Sequence, residues 1–237
     1  MKTSRSKREP VTAAELSRQV HQDPAYVARM KEAAEERDAS IQEHRRQAAP
    51  IIEELYNAGF DVQSLDELRR SGMRYTAAIP ILIKWLPRIS DADLKDSIVR
   101  TLSVSWAKQA APALIEEFRN APDTPPGETT RKWAIGNALS IVANDSVFTE
   151  IVDLVQDKRH ARDREMLAFA LGNKANEKAV SLLIELLEDD EVAGHAIVAL
   201  GKLKAKRAEQ YIEQFTSHPK AWVRREAKKA LKKIRQA

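Results

Sequence analysis

The chain has 237 residues, 43% hydrophobic and 31% charged, with seven glycines and no cysteine. It is long enough for a sizeable core and too apolar to be broadly disordered, and the lack of cysteine excludes disulfides, thiolate metal sites and cysteine nucleophiles and fits a reducing, cytoplasmic setting. The formal charge of +4 conceals a division: residues 110–191 carry 9 basic and 16 acidic side chains, net −7, and residues 192–237 carry 12 basic and 3 acidic, net +9.

Residues 1–10 are basic but lack the apolar core of a signal peptide, and they read as a flexible tail. Thr12-Ala13-Ala14-Glu15 has the form of a capping box, which starts a helix expected to end near His21. Asp23-Pro24 starts a second helix, expected to run to about Asn57 with a break or kink at Pro50. Its first half, rich in charge and alanine, has little apolar surface to bury. Gly59 ends this element, and Ser64-Leu65-Asp66-Glu67 is a further capping box opening a short helix that closes before Gly72. The expected organisation is the tail at 1–10, a helical region with a degenerate capping repeat at 11–74, and a repeat array at 75–237.

From residue 75 onward two motif series alternate. The first is IPILIKWL (79–86), APALIEEF (111–118), FTEIVDLV (148–155), AVSLLIEL (179–186) and AEQYIEQF (208–215). Their fourth, fifth and eighth places are apolar or aromatic, one stripe of a helix. The second series ends each time in a leucine: Leu102, Leu139, Leu171, Leu200 and Leu231, spaced 37, 32, 29 and 31 residues apart. Each unit is thus helix, turn, helix, and such pairs must stack to bury their apolar faces. Gly172-Asn173 and Gly201 are expected to be left-handed helix C-caps, and Asp145-Ser146 and Asp189-Asp190 helix starts. The insert at 121–130, with three prolines, is expected to be a loop.

These units resemble HEAT repeats. Trp222-Val223-Arg224-Arg225-Glu226-Ala227 leading to Ala230-Leu231, and the endings Ala170-Leu171-Gly172 and Ala199-Leu200-Gly201, carry the resemblance over about residues 75–235. It implies an all-α fold, a right-handed α-α superhelix of about five helix pairs with an N-terminal helical extension, and the function of an interaction scaffold. One unit departs from the family pattern, because Ala193 stands where an arginine is usual.

No catalytic motif, phosphate loop or metal-ligand pair of histidines is present, so no catalytic residue, metal or cofactor is expected. Seven residues before each repeat leucine stand Lys95, Lys132, Arg164, Ala193 and Arg224. The four cations have two readings: a structural ladder between units, or candidates for a concave binding face that takes an acidic partner. On the last helix Lys228, Lys229, Lys232 and Lys233 form a basic end, read either as a solvated terminal face or as a surface for polyanions. Trp133 and Trp222 are expected in the core, and Trp85 beside the repeat stripe, either exposed or partly buried between units. No membrane span is expected, since no run nears about eighteen apolar residues.

The resulting expectation is a non-catalytic scaffold that binds an unidentified protein partner on the concave face, with weak non-specific nucleic-acid binding by the basic end. The alternative is a nucleic-acid-binding protein similar in architecture to HEAT-like DNA glycosylases, with Trp133, Arg164 and Glu165 as residue types suited to their groove. The acidic middle opposes a continuous DNA track.

Overall fold

The computed structural model describes residues 12–122, 131–173 and 177–236. The tail expected at 1–10 and most of the loop expected at 121–130 lie outside them. Among the described residues the regular structure is entirely helical, with thirteen α-helices joined by short turns, many of them 3-10. The chain divides into two compact units, one up to Arg46 and one from Gln47.

The first unit holds α1 (Ala13–Gln22) and the first part of α2 (Pro24–Asn57). The capping box forms as expected: Glu15 N donates to Thr12 Oγ1, and Thr12 N donates to Glu15 Oε2 at 3.0 Å. This part of α2 buries no large side chain, as its composition requires, and Val27, Met30 and Ile41 are exposed. Helix α2 continues through Pro50, so the break that is one of the two expectations there is absent. The proline costs one backbone hydrogen bond, which burial of Ile51 and Leu55 just beyond it offsets.

The second unit takes in the last turns of α2, so the segment read as a degenerate first repeat packs as part of the array. Gly59 (φ 91°) and Gly72 (φ 72°) supply the left-handed turns that end α2 and follow α3 (Leu65–Arg70). Ser64 caps α3 by accepting from Glu67 N, but Glu67 reaches back to Gln63 N rather than to the cap residue itself. Arg69 then fastens α3 to the first full repeat, donating to Ser97 and to Thr101 Oγ1.

Five helix pairs follow. The first helices are α4 (Ala78–Trp85), α6 (Ala111–Asn120), α8 (Phe148–Gln156), α10 (Glu177–Glu185) and α12 (Glu209–Glu213). The second helices are α5 (Ala92–Leu102), α7 (Arg131–Val142), α9 (Glu165–Ala170), α11 (Ala193–Leu203) and α13 (Ala221–Arg235). All five repeat leucines are buried, and so is the stripe on the first helices except at Ile83 and Val152, which are half-buried, and Tyr211, which is 42% exposed. The second helices touch in sequence, α5 to α7 to α9 to α11 to α13, and carry the main contacts between repeats. This is a helical solenoid, and its closely spaced second helices form the inner side of the curve.

Glycine sets that spacing, not by the expected left-handed caps but by its missing side chain. A Cβ on Gly172 would stand 2.9 Å from Ala199 Cβ, and one on Gly201 would stand 2.7 Å from both Ala230 Cα and Cβ. Gly201 lies inside α11, and the left-handed cap of that helix is Lys204 (φ 53°). Of the expected helix starts, Asn144 rather than Asp145 caps its turn, accepting from Ser146 N, while Asp189 accepts from Glu191 N.

Candidate functional site

A helix advances about 100° per residue, so a position seven residues from a buried leucine lies only about 20° from it. Lys95, Lys132, Arg164 and Arg224 therefore sit on the packed side of the second helices. The relative exposure of Lys132 is 2% and that of Arg164 is 1%. Each of the first three reaches into the following repeat. Lys95 Nζ donates to both carboxylate oxygens of Glu117, at 2.9 and 2.8 Å. Lys132 Nζ stands 3.2 Å from His160 Nδ1 and 5.7 Å from the Phe118 ring centroid. Arg164 donates to Asp189 Oδ2 and Glu191 Oε2, both at 2.9 Å, and also to the carbonyls of Val155 and Ala161. Arg224 bonds within its own repeat, to the carbonyls of His218 and Pro219.

Lys95, Lys132 and Arg164 thus form a ladder of forward-reaching cations, the first of the two readings, with Lys132 and Arg164 buried and Lys95 and Arg224 half-buried. Its physical use is to satisfy turn carbonyls and to align one repeat on the next. Burial acts against the charge of Asp189, yet its bonds from Arg164 and Glu191 N hold the carboxyl below the usual aspartate range. Ala161, whose carbonyl Arg164 engages, has φ 42° and ψ −127°, a strained geometry for a residue with a Cβ.

The fourth repeat lacks a cation at this place. There Gly194 makes room for Trp222 of the fifth repeat, whose ring lies where a Cβ on that glycine would be. His195 packs against the same ring at 5.4 Å between centroids. Burial, with a smaller contribution from Arg162, lowers the His195 pKa against the opposing charge of Glu165.

Positions five and two residues before each repeat leucine lie about 140° and 160° from it, on the opposite side. They are Ser97 and Arg100, Ala134 and Asn137, Met166 and Phe169, His195 and Val198, Glu226 and Lys229. All ten are half-buried or exposed, and they form the outward row of the inner helix layer. The row is polar at both ends and mainly apolar at Met166, Phe169 and Val198. Beside it Trp133, expected in the core, is 38% exposed. Trp133 lines a shallow cleft of about 330 Å³ between α5 and α7, together with Asp93, Asp96, Arg100 and Asn137. The leucine spacing already contained this row; a count of five or two rather than seven would have found it.

Two other tryptophans are partly buried, Trp85 in accord with one of its two readings. Trp222 is half-buried against the core. Trp85 is likewise half-buried, with Lys84 and Arg88 over its ring at 5.4 and 5.7 Å. The residue types matched to a glycosylase groove do not share an open surface: Trp133 is exposed, whereas Arg164 and Glu165 are buried. On α13 Lys228, Lys229, Lys232 and Lys233 are all exposed, and Lys229 pairs with Glu226 at 2.9 Å. Among the described residues no group of acidic or histidine side chains has the form of a metal site, and no helix is long and apolar enough to cross a membrane.

Residues 148–232 match the family model of HEAT repeats, which spans the last three helix pairs up to Lys232. Among solved structures the chain is similar to a designed armadillo repeat protein in complex with the peptide (KR)4, with 16% identity and a TM-score of 0.45, over 91% of this chain and 97% of that one. No curated protein matches.

Proposed function

We propose that this chain of HEAT repeats is a non-catalytic scaffold that holds a protein partner along the concave, second-helix side of its array. The observation that carries this reading is the outward row. Its middle repeats present Met166, Phe169 and Val198, with Trp133 beside them, on helices whose opposite side is fixed by the cation ladder and the glycine contacts. A rigid inner surface with apolar and aromatic side chains at its centre and polar ends has the anatomy of a protein interface. Repeat arrays use their concave side in this way. The ladder cations Lys95, Lys132, Arg164 and Arg224 contribute by keeping that surface in register.

The test is recovery of partners on tagged full-length chain from the cell in which it is made, followed by mass spectrometry. Met166→Asp together with Val198→Asp removes the apolar centre, and circular dichroism checks that the variant stays helical. The partner is expected to be lost from the folded variant. Retention of the same partner, with loss only when outer first-helix residues such as Tyr211 are changed, overturns the face assignment.

A second reading rests on α13. Its exposed Lys228, Lys229, Lys232 and Lys233 form a basic surface that suits nucleic acid or another polyanion, with affinity dominated by counterion release.

A further inference from the structure

Where the second helices turn into the following first helices, a cleft of about 610 Å³ opens along one edge of the array. That size suits a small ligand or the end of a peptide. Its floor is apolar, made by Ile141 at the end of α7, Phe148 and Ile151 on α8, and Phe169 on α9. Two cations from different repeats border it. Lys108, in the turn before α6, donates from Nζ to the Ile141 carbonyl. Lys202, near the end of α11, donates from Nζ to Asn173 Oδ1 at 2.8 Å, with its ammonium 5.1 Å from the Phe169 ring centroid.

Both acceptors are neutral, so neither bond neutralises its ammonium. Burial, and then the neighbouring charge of Lys108, lower the pKa of Lys202. Two like charges above an apolar floor repel each other, and an anion between them relieves that repulsion. Asp145 also lines the cleft, but it is exposed on the rim, where water and salt screen it. Phe169 belongs both to the cleft floor and to the outward row, so a chain lying along the row runs into the cleft.

We infer that the cleft receives the C-terminal end of a protein partner, with an apolar last side chain on the floor of Ile141, Phe148 and Phe169 and the terminal carboxylate between Lys108 and Lys202. This rests on the scaffold reading and adds the chemistry of one end of the bound segment. The apolar body and the anion must belong to adjoining atoms, which a chain terminus provides and an amide-capped chain does not.

The experiment is fluorescence anisotropy with full-length chain and a labelled ten-residue peptide ending in Leu-Phe, as free carboxylate and as carboxamide. The carboxylate is expected to bind about tenfold or more tightly than the amide, the difference made by charge-assisted hydrogen bonds. Lys108→Gln with Lys202→Gln is expected to erase that difference, and Phe169→Ser to weaken both forms. Equal binding of acid and amide, no measurable binding of either at about 1 mM, or indifference to the lysine substitutions overturns the inference. Binding of free 3-phenylpropionate as tight as that of the peptide also overturns it, because the site then belongs to small acids. A recovered partner that needs Met166 and Val198 but not Lys108 or Lys202 leaves the scaffold reading standing and removes this one. Acid-over-amide discrimination that survives Met166→Asp and Val198→Asp, with the partner still held, does the reverse.

Discussion

Gly201 lies directly against Ala230: a methyl group on the glycine would stand 2.7 Å from both the Cα and the Cβ of the alanine. Backbone cannot yield as a long side chain can, so Gly201→Ala must push α11 and α13 apart or break their contact. The expected cost is about 1–3 kcal/mol, as for an overpacked core. Urea unfolding followed by circular dichroism measures it. A variant as stable as the parent shows that the two helices are free to slide.

Arg164 is buried and donates to four acceptors, so Arg164→Ala strands Asp189 and the carbonyls of Val155 and Ala161. A loss of about 3 kcal/mol or more is expected near neutral pH. The Asp189 carboxyl titrates below its ordinary value in the folded state. Its contribution is therefore full above about pH 4 and is lost as pH falls through the lower folded value. The gap in stability between parent and variant should narrow below that pH. A gap unchanged down to pH 3 argues that Asp189 plays no part. Ala161→Gly, which relieves the positive φ, is expected to stabilise by about 1 kcal/mol.

His195 titrates below the ordinary histidine value because it is buried against Trp222. The unfolded chain then binds a proton that the folded chain refuses. Stability is full above the unfolded value of about 6.5 and declines as pH falls from there toward the folded pKa. His195→Phe should flatten this part of the pH profile. NMR titration of the ring protons gives the folded pKa directly, and a midpoint above 6.5 contradicts the account.

The basic end gives a prediction of a different kind. Lys228, Lys229, Lys232 and Lys233 face solvent, whereas Val223, Ala227, Leu231 and Ile234 of the same helix are buried. Duplex or single-stranded DNA should bind only weakly, at about micromolar Kd or poorer, and ever more weakly as salt is raised. Reversing the four lysines to glutamate should abolish binding while the helix stays packed. Anisotropy of labelled strands across a salt series is the measurement, and tight binding with little dependence on salt would favour the nucleic-acid reading over the scaffold.

The repeat pattern made the architecture legible because leucine and alanine recur with the packing itself. Leu102, Leu139, Leu171, Leu200 and Leu231 are all buried as their spacing requires. The same spacing left four cations with two readings, a ladder between units or a binding face. An offset of seven returns to the buried side, and Lys132 and Arg164 meet partners one repeat on, as the ladder reading expects. Gly172 and Gly201 did mislead. A glycine near a helix end suggests a left-handed cap, whereas here the neighbour that needs the space is some thirty residues away. Trp133 was illegible for a related reason: Ala134 and Ile135 follow it, but its angle on α7 carries it out of the core.

The fourth and fifth repeats are joined by the Trp222 ring in the space left at Gly194, where the third and fourth are joined by Arg164 and its carboxylates. Both kinds of joint weaken in the cold: apolar association fades on cooling, and the penalty for desolvating buried ions grows as the temperature falls. Cooling therefore loosens the array at both joints together, and warming tightens both until chain entropy takes over.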